Sequence, residues 1–274
     1  MDNSLNAIEI WWLAISFIAL TNIMLWLYSV KYYRINNSGY KAGFYNFGNW
    51  QISLSAVYVF VCAYRSVLPR VDVQRYVLYD SWFSNILLGR SFATLAELCF
   101  AIQWAIILYH LLKTTDNKHI SRLPFILIDL ILLAEICSWY AVISTNYLGH
   151  VFEESLWAIS ALVVIGSVIA VWPFYVKQFK KIMTASIIGG FLYISYLIMV
   201  DAPMYYSRWQ MDELNARQYM TLYEGLYDMA TRWVVTHDWQ DWKIDTAWMS
   251  LYFGVGVWFS IACINAPGFK REEK

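Results

Sequence analysis

Charge, cysteine pairing and glycine-rich motifs are what this chain has little of. Only 15% of its 274 residues are charged while 59% are hydrophobic, a balance outside the range of water-soluble domains. Twenty Lys and Arg cancel twenty Asp and Glu, so no basic field draws the chain to nucleic acid, and nucleic-acid binding is excluded as a function. The four cysteines, Cys62, Cys99, Cys137 and Cys263, all fall inside apolar stretches and form no Cys-x-x-Cys pair. That removes a disulfide framework and the usual thiolate metal or redox site. There is no internal repeat, low-complexity tract or Gly-rich nucleotide loop. No cation precedes Lys31, and Asp2 and Glu9 come before the first apolar run. This is the opposite of a cleavable signal's basic start, so the first run is expected to stay in the membrane.

What remains is apolar and aromatic. A mean hydropathy of +0.43, with several uncharged stretches of about twenty residues, reads as a polytopic α-helical membrane protein. Seven stretches qualify as spans, at approximately 10–30, 48–68, 86–112, 123–144, 154–176, 182–200 and 246–265. At about 1.5 Å per residue each crosses a core of roughly 30 Å with help from its flanks. The sixth is short, and the second is the least apolar, carrying Gln51, Ser53, Ser55, Tyr58 and Tyr64. The expected fold is an all-α bundle of seven spans, a single integral membrane domain over 1–274 with an extracytoplasmic loop over 201–245.

Orientation follows from the cations, because short cytoplasmic loops collect Lys and Arg. One set of alternate connections holds twelve: Lys31, Arg34, Lys41, Lys113, Lys118, Arg122, Lys177, Lys180, Lys181, Lys270, Arg271 and Lys274. The other holds seven, Arg65, Arg70, Arg75, Arg208, Arg217, Arg232 and Lys243, four of them in the long loop that the rule discounts. Fourteen carboxylates share that second side, against Asp116, Glu272 and Glu273 on the first. The N-terminus is expected outside and the C-terminus in the cytoplasm, in a plasma or bacterial inner membrane. The sequon at Asn36 then faces the cytoplasm and stays unmodified.

In the long loop, residues 209–235 contain no Pro, and Leu222, Leu226, Met229 and Trp233 recur at helical spacing. An amphipathic extracytoplasmic helix is expected there, with Glu224, Asp228 and Arg232 stepping by four along another face. Such a helix either lies on the outer leaflet or caps the bundle.

Charges inside a span are the most informative residues, since each costs about 2.5–3.5 kcal/mol or more at the membrane centre. In the third span Arg90, Thr94, Glu97 and Trp104, separated by four, three and seven residues, line one face. Glu97 lies about 16 Å into its helix and Glu135 reaches a similar depth in the fourth span, so the two acids can meet. Asp129 sits about 120° around from Glu135 and faces another neighbour. Gln51, Ser55, Tyr58, Cys62 and Arg65 add a polar stripe on the second span. The expectation is an outward-opening polar cavity lined by Arg65, Arg90, Thr94, Glu97, Trp104, Glu135 and Tyr58, cations at the mouth and acids at the floor. The alternative is that these groups only lock helices together. Two adjacent carboxylates can share a proton, which makes Glu97 and Glu135 the candidates for acid–base catalysis.

A second constellation is His150, Glu153 and Glu154 at the start of the fifth span, with His237, Asp238 and Asp241 before the seventh. These types can hold a divalent metal, although the spacing falls short of a two-His helical motif. The alternative is that the acids form a helix's first turn, where its dipole favours them. The stretch from Arg65 to Ser84, with Pro69, Arg70, Asp72, Arg75, Asp80 and Trp82, reads as a solvated loop ahead of an anion or head-group site.

Other cofactors are argued against. No Lys lies in any expected span, so retinal has no amine for a Schiff base, and only His110 lies in a span, so haem lacks opposed axial ligands. The paired His of intramembrane zinc hydrolases is missing from 246–265. Ser250 with Gly254, and Gly256 with Ser260, put small residues four apart on the last span and permit close helix approach. Three functions follow. The first is a protein that binds or transports a small amphipathic or lipid-like ligand in the outward cavity. The second is an enzyme acting on a lipid or isoprenoid at the outer leaflet. The third is a structural or assembly subunit, as a homo-oligomer or in a membrane complex.

Overall fold

Long apolar runs with few breakers build helices, and the computed structural model describes residues 6–36, 42–112, 122–174 and 177–264. Of the charges used for orientation, Asp2, Lys41, Lys113, Asp116, Lys118, Lys270, Arg271, Glu272, Glu273 and Lys274 lie outside the described residues, as does most of the Asn36 sequon. Among the described residues six helices are long and apolar enough to cross a membrane: Ala7–Asn36, Ile86–Leu112, Leu123–Ser144, Leu148–Phe174, Met183–Leu214 and Thr246–Ile264. The chain is an all-α, multi-pass membrane protein. Its outward faces agree, since large apolar side chains such as Phe17, Met24, Ile136, Leu192 and Met199 are exposed, the reverse of a water-soluble surface.

In chain order the elements are α1 (Ala7–Asn36), α2 (Ala42–Val67), β1 (Arg70–Val71), β2 (Tyr76–Val77), α3 (Ile86–Leu112), α4 (Leu123–Ser144) and α5 (Leu148–Val171). Then come α6 (Lys177–Tyr196), α7 (Ala202–Leu214), α8 (Leu222–Thr231), β3 (Val234–Val235), α9 (Trp239–Trp242), α10 (Thr246–Ser250) and α11 (Val257–Ile264). The second expected span is the helix α2, but its hydropathy leaves it out of the six. The reason is its polar stripe: Gln51, Ser55, Tyr58, Cys62 and Arg65 are all buried, so the face that lowers its hydropathy is turned inward.

Three boundaries differ from the sequence expectation. Helix α5 begins at Leu148 instead of 154, so Glu153 lies beyond the first turn and is buried. The sixth helix does not stop at 200: a π-helical turn, Leu197–Asp201, carries it into α7. The wider turn absorbs Pro203, which has no N–H to donate within a regular helix. The single helix expected over 209–235 is two pieces. Helix α7 ends at Leu214 and Ala216 takes a left-handed φ of 49°. Thr221 then starts α8 through a capping box with Glu224, and the β-branched pair Val234–Val235 is extended. That pair runs parallel to β2, which is antiparallel to β1.

The chain divides into two compact units, the first comprising Met1–Phe100, Val142–Thr145 and Tyr219–Asn265, the second Ala101–Ala141, Asn146–Gln218 and Ala266–Lys274. In the first, α1, α2 and α11 pack on one another around Ile15, Tyr58, Cys62, Met249, Phe253 and Val257, with Trp242 fully buried at one end. Buried Asn22 joins α1 to the last helix by donating to the Phe253 carbonyl at 2.8 Å and accepting from the Trp258 indole at 2.9 Å. Of the small residues on the last span, Gly256 lies against the Tyr58 hydroxyl, which a Cβ would approach to 2.7 Å, and Ser260 bonds Ser55 at 3.2 Å. Gly254 faces open space.

In the second unit α5 packs on α6 and the π-helical turn after it through Ala158, Ile165, Ile194 and Leu197, and it also contacts α7. Gly149 lets α5 press on α4, since a Cβ there would lie 2.6 Å from the Cys137 carbonyl and 2.8 Å from Ala141. Gly149→Ala is therefore expected to destabilise the protein by about 1–3 kcal/mol through overpacking against backbone. Gly166→Ala, with nothing within 4 Å of its new methyl, is expected to be neutral or stabilising; melting temperatures in one detergent compare the two.

Candidate functional site

The third helix does what its spacing implies. Arg90 and Glu97, two turns apart on α3, are both buried and pair at 3.5 Å between Nη2 and Oε1. Half-buried Thr94 lies between them. The same Glu97 oxygen accepts a hydrogen bond from the Tyr252 hydroxyl at 3.2 Å. Tyr252 sits in a π-helical turn, Leu251–Gly256, of the last spanning helix. Its ring lies 5.6 Å from that of Tyr58, which stacks on Phe100 at 4.9 Å. Arg65 is buried above the Phe253 ring at 5.9 Å and approaches Asp72 at 3.6 Å. Arg65 Nε and Asp72 Oδ1 are both buried without a hydrogen-bond partner among the described residues. The first unit thus gathers Tyr58, Arg65, Arg90, Thr94 and Glu97 of the expected lining. Trp104 and Glu135 belong to the second unit.

Much of the segment expected to be a solvated loop, from Pro69 to Tyr79, is buried or half-buried instead, while Asp80, Trp82 and Phe83 are exposed. Arg70 stacks over Tyr64 at 5.1 Å and donates to the carbonyls of Asn85 at 2.6 Å, Phe83 at 3.2 Å and Leu68 at 3.3 Å. Arg75, fully buried and in a left-handed conformation with φ of 64°, donates from Nε to Asp228 at 2.7 Å and from Nη2 to the Val142 carbonyl at 2.9 Å. Its Nη1 donates to the Asp72 carbonyl. A guanidinium's donors fit several carbonyls at once, which is why these two arginines serve the backbone in place of an external anion. Burial pushes both below the ordinary arginine range, opposed at Arg75 by the Asp228 carboxylate. Asp228 also pairs with Arg232 one turn on, as its spacing implies. Burial works against ionisation of Asp228, but the hydrogen bonds from Arg232 and Arg75 outweigh it and hold the carboxyl below its usual value.

In the second unit Glu135 on α4 and Glu153 on α5 are buried, with carboxylate oxygens within 4.8 Å of each other. Buried His150 places Nδ1 2.6 Å from Glu153 Oε2. The Tyr205 ring covers this histidine at 4.7 Å, and Arg208 lies over the Tyr147 and Tyr205 rings at 5.5 and 5.9 Å. Two neighbouring carboxylates, one of them bonded to an imidazole, can share a proton. Glu154 is half-buried, and Asp129 is exposed on another face of α4. The other half of the expected metal constellation lies in the first unit and has local roles. Asp238 caps α9 by accepting from Gln240 N–H at 2.9 Å, Asp241 accepts from the Thr236 hydroxyl at 2.6 Å, and His237, exposed, offers its carbonyl to Asn6.

Tyr252 and Phe253 of the first unit and Tyr205 and Arg208 of the second were not singled out in the sequence as site residues, and Asp72 was named only within the stretch read as a loop. Nothing in their local spacing separates them from the many other aromatics and charges of the chain. No family model, curated protein or solved structure matches this chain.

Asp228 gives a pH test. Because its folded-state value is depressed, its stabilisation is complete above the ordinary carboxylate range of about 4 and is lost as pH falls through the folded value. Asp228→Asn is expected to melt lower than the natural chain at neutral pH, since it leaves Arg75 buried without its counter-charge. The two melting curves are expected to converge on acidification below about pH 4.

Proposed function

We propose that the chain is a seven-span membrane protein that binds or transports a small amphipathic or lipid-like ligand at the charged, aromatic cluster of Arg65, Arg90, Glu97, Tyr58 and Tyr252. The observation that carries the reading is the Arg90–Glu97 pair, buried in a spanning helix and joined by the Tyr252 hydroxyl. Charges at that depth are expensive, and a site that grips a polar head beside apolar walls is a function that retains them. Aromatic rings around the pair suit a ligand that is apolar over most of its surface.

The seventh crossing in this reading is α2. Its 26 residues rise about 39 Å, enough to span, and it packs along α1 and α11 with its polar stripe inward. The excess of Lys and Arg on alternate connections supports an outside N-terminus and a cytoplasmic C-terminus, as in a plasma or bacterial inner membrane. The cluster then opens toward the outer face, and α8 is extracytoplasmic.

Native mass spectrometry of the purified chain is expected to show a retained lipid-sized adduct that Glu97→Gln and Arg90→Gln both lose while still expressing and melting as membrane proteins. Adduct retention by both variants overturns the ligand reading and leaves the pair as a helix lock. For orientation, the Asn36 sequon is expected to remain unglycosylated in a glycosylating host, and a glycan there reverses the topology.

A further inference from the structure

We infer that α8 is an interfacial helix whose uncharged arc, Leu222, Tyr223, Leu226, Tyr227 and Ala230, is seated in the head-group and upper acyl region of the bilayer that the other helices cross. Its ten residues, Leu222–Thr231, have a fixed angular order around the helix axis. At about 100° per residue these five side chains fall within an arc of roughly 140°. Gly225 and Met229 lie beside it and are buried, while Glu224 and Asp228 occupy the opposite edge. Tyr223 is 82% exposed and Leu222 and Tyr227 are each 66% exposed, so among the described residues most of the arc is uncovered.

Depth is set at both ends of the helix by contacts within the first unit. At its start the Met220 N–H donates to the Ser144 carbonyl at 3.0 Å, and Gly225 abuts the Ile143 carbonyl so closely that a Cβ has no room. Residues 143 and 144 are the last of α4, one of the six apolar helices. At its end the Ala230 carbonyl accepts from the Asn85 side chain at 2.5 Å, and Asn85 immediately precedes α3, another of the six. A helix about 15 Å long that rests on the end of one span and the beginning of another lies across the bundle end, at the level where the hydrocarbon core stops. The buried Gly225 faces the end of α4, which turns the uncharged arc away from it. Trp82 and Phe83, exposed and just ahead of α3, sit at the same boundary.

Lipid is the occupant this composition fits. Tyr and Trp are favoured at the head-group level, where a ring meets apolar chains and its polar tip meets water, and an arc with no charge suits that layer. The acidic edge stays out of it, because Asp228 is held by Arg75 and Arg232. The inference does not depend on the ligand cluster, so the two stand or fall separately.

Spin labels on the full chain test it, in nanodiscs of phosphatidylcholine and phosphatidylglycerol, with the four native cysteines replaced. Labels at Tyr223→Cys and Tyr227→Cys are expected to collide several-fold more with oxygen, and several-fold less with an aqueous nickel chelate, than a label at Glu224→Cys. Equal chelate access at all three positions overturns the inference in favour of water. Shielding of 223 and 227 from both reagents overturns it in favour of a protein partner. A second measurement needs no substitution: aqueous iodination of the natural chain in the same nanodiscs is expected to modify Tyr223 and Tyr227 several-fold more slowly than in a free peptide of residues 219–231. Equal rates overturn the inference.

Discussion

A guanidinium buried in an apolar interior has no water to fall back on, and its desolvation costs several kcal/mol unless its donors are met by the chain itself. Four arginines in the first unit, Arg65, Arg70, Arg75 and Arg90, are buried under this constraint, and much of the unit's architecture follows from how each is met. Arg70 draws three carbonyls around itself, which folds the segment between α2 and α3 inward. Arg75 ties Asp228 of α8 to the carbonyls of Asp72 and Val142. Its left-handed backbone costs on the order of 1–2 kcal/mol, and a glycine there would relieve the strain but remove the side chain that joins these segments.

The same constraint shapes the charged cluster inside the span. Arg90 cannot reach water from α3 and pairs with Glu97 on its own helix, and the glutamate in turn takes the Tyr252 hydroxyl. Tyr252 belongs to a π-helical turn, where a widened backbone re-aims side chains and leaves a carbonyl for Asn22. The second unit has its own widened turn, in which Asp201 accepts from the Tyr196 hydroxyl at 3.0 Å. In each unit a buried acid at or beside such a turn accepts a hydrogen bond from a tyrosine hydroxyl.

The inward faces were legible because they depend on a local period. Arg90, Thr94 and Glu97 read as one stripe, and Gln51 to Arg65 as another, since 3.6 residues per turn brings them together whatever the rest of the chain does. The Asp228–Arg232 pair was legible for the same reason. Element ends were less so: Pro203 reads as a breaker until a π-helical turn absorbs it, and the capping box at Thr221 divides a stretch that hydrophobic spacing alone would join. The burial of Arg70 and Arg75 was hidden, because a mixed-charge segment between spans has the same composition whether it faces water or its own carbonyls.

Composition and helical spacing determined by themselves that this is a multi-pass membrane protein, and which polar side chains the second and third helices turn inward, because apolarity and period are properties of short stretches. Tertiary structure alone decided the partner of each buried charge. Asp228 on Arg75, Tyr252 on Glu97 and Tyr205 over His150 are brought together across long separations in the chain, by backbone turns and close helix approaches that no local pattern encodes.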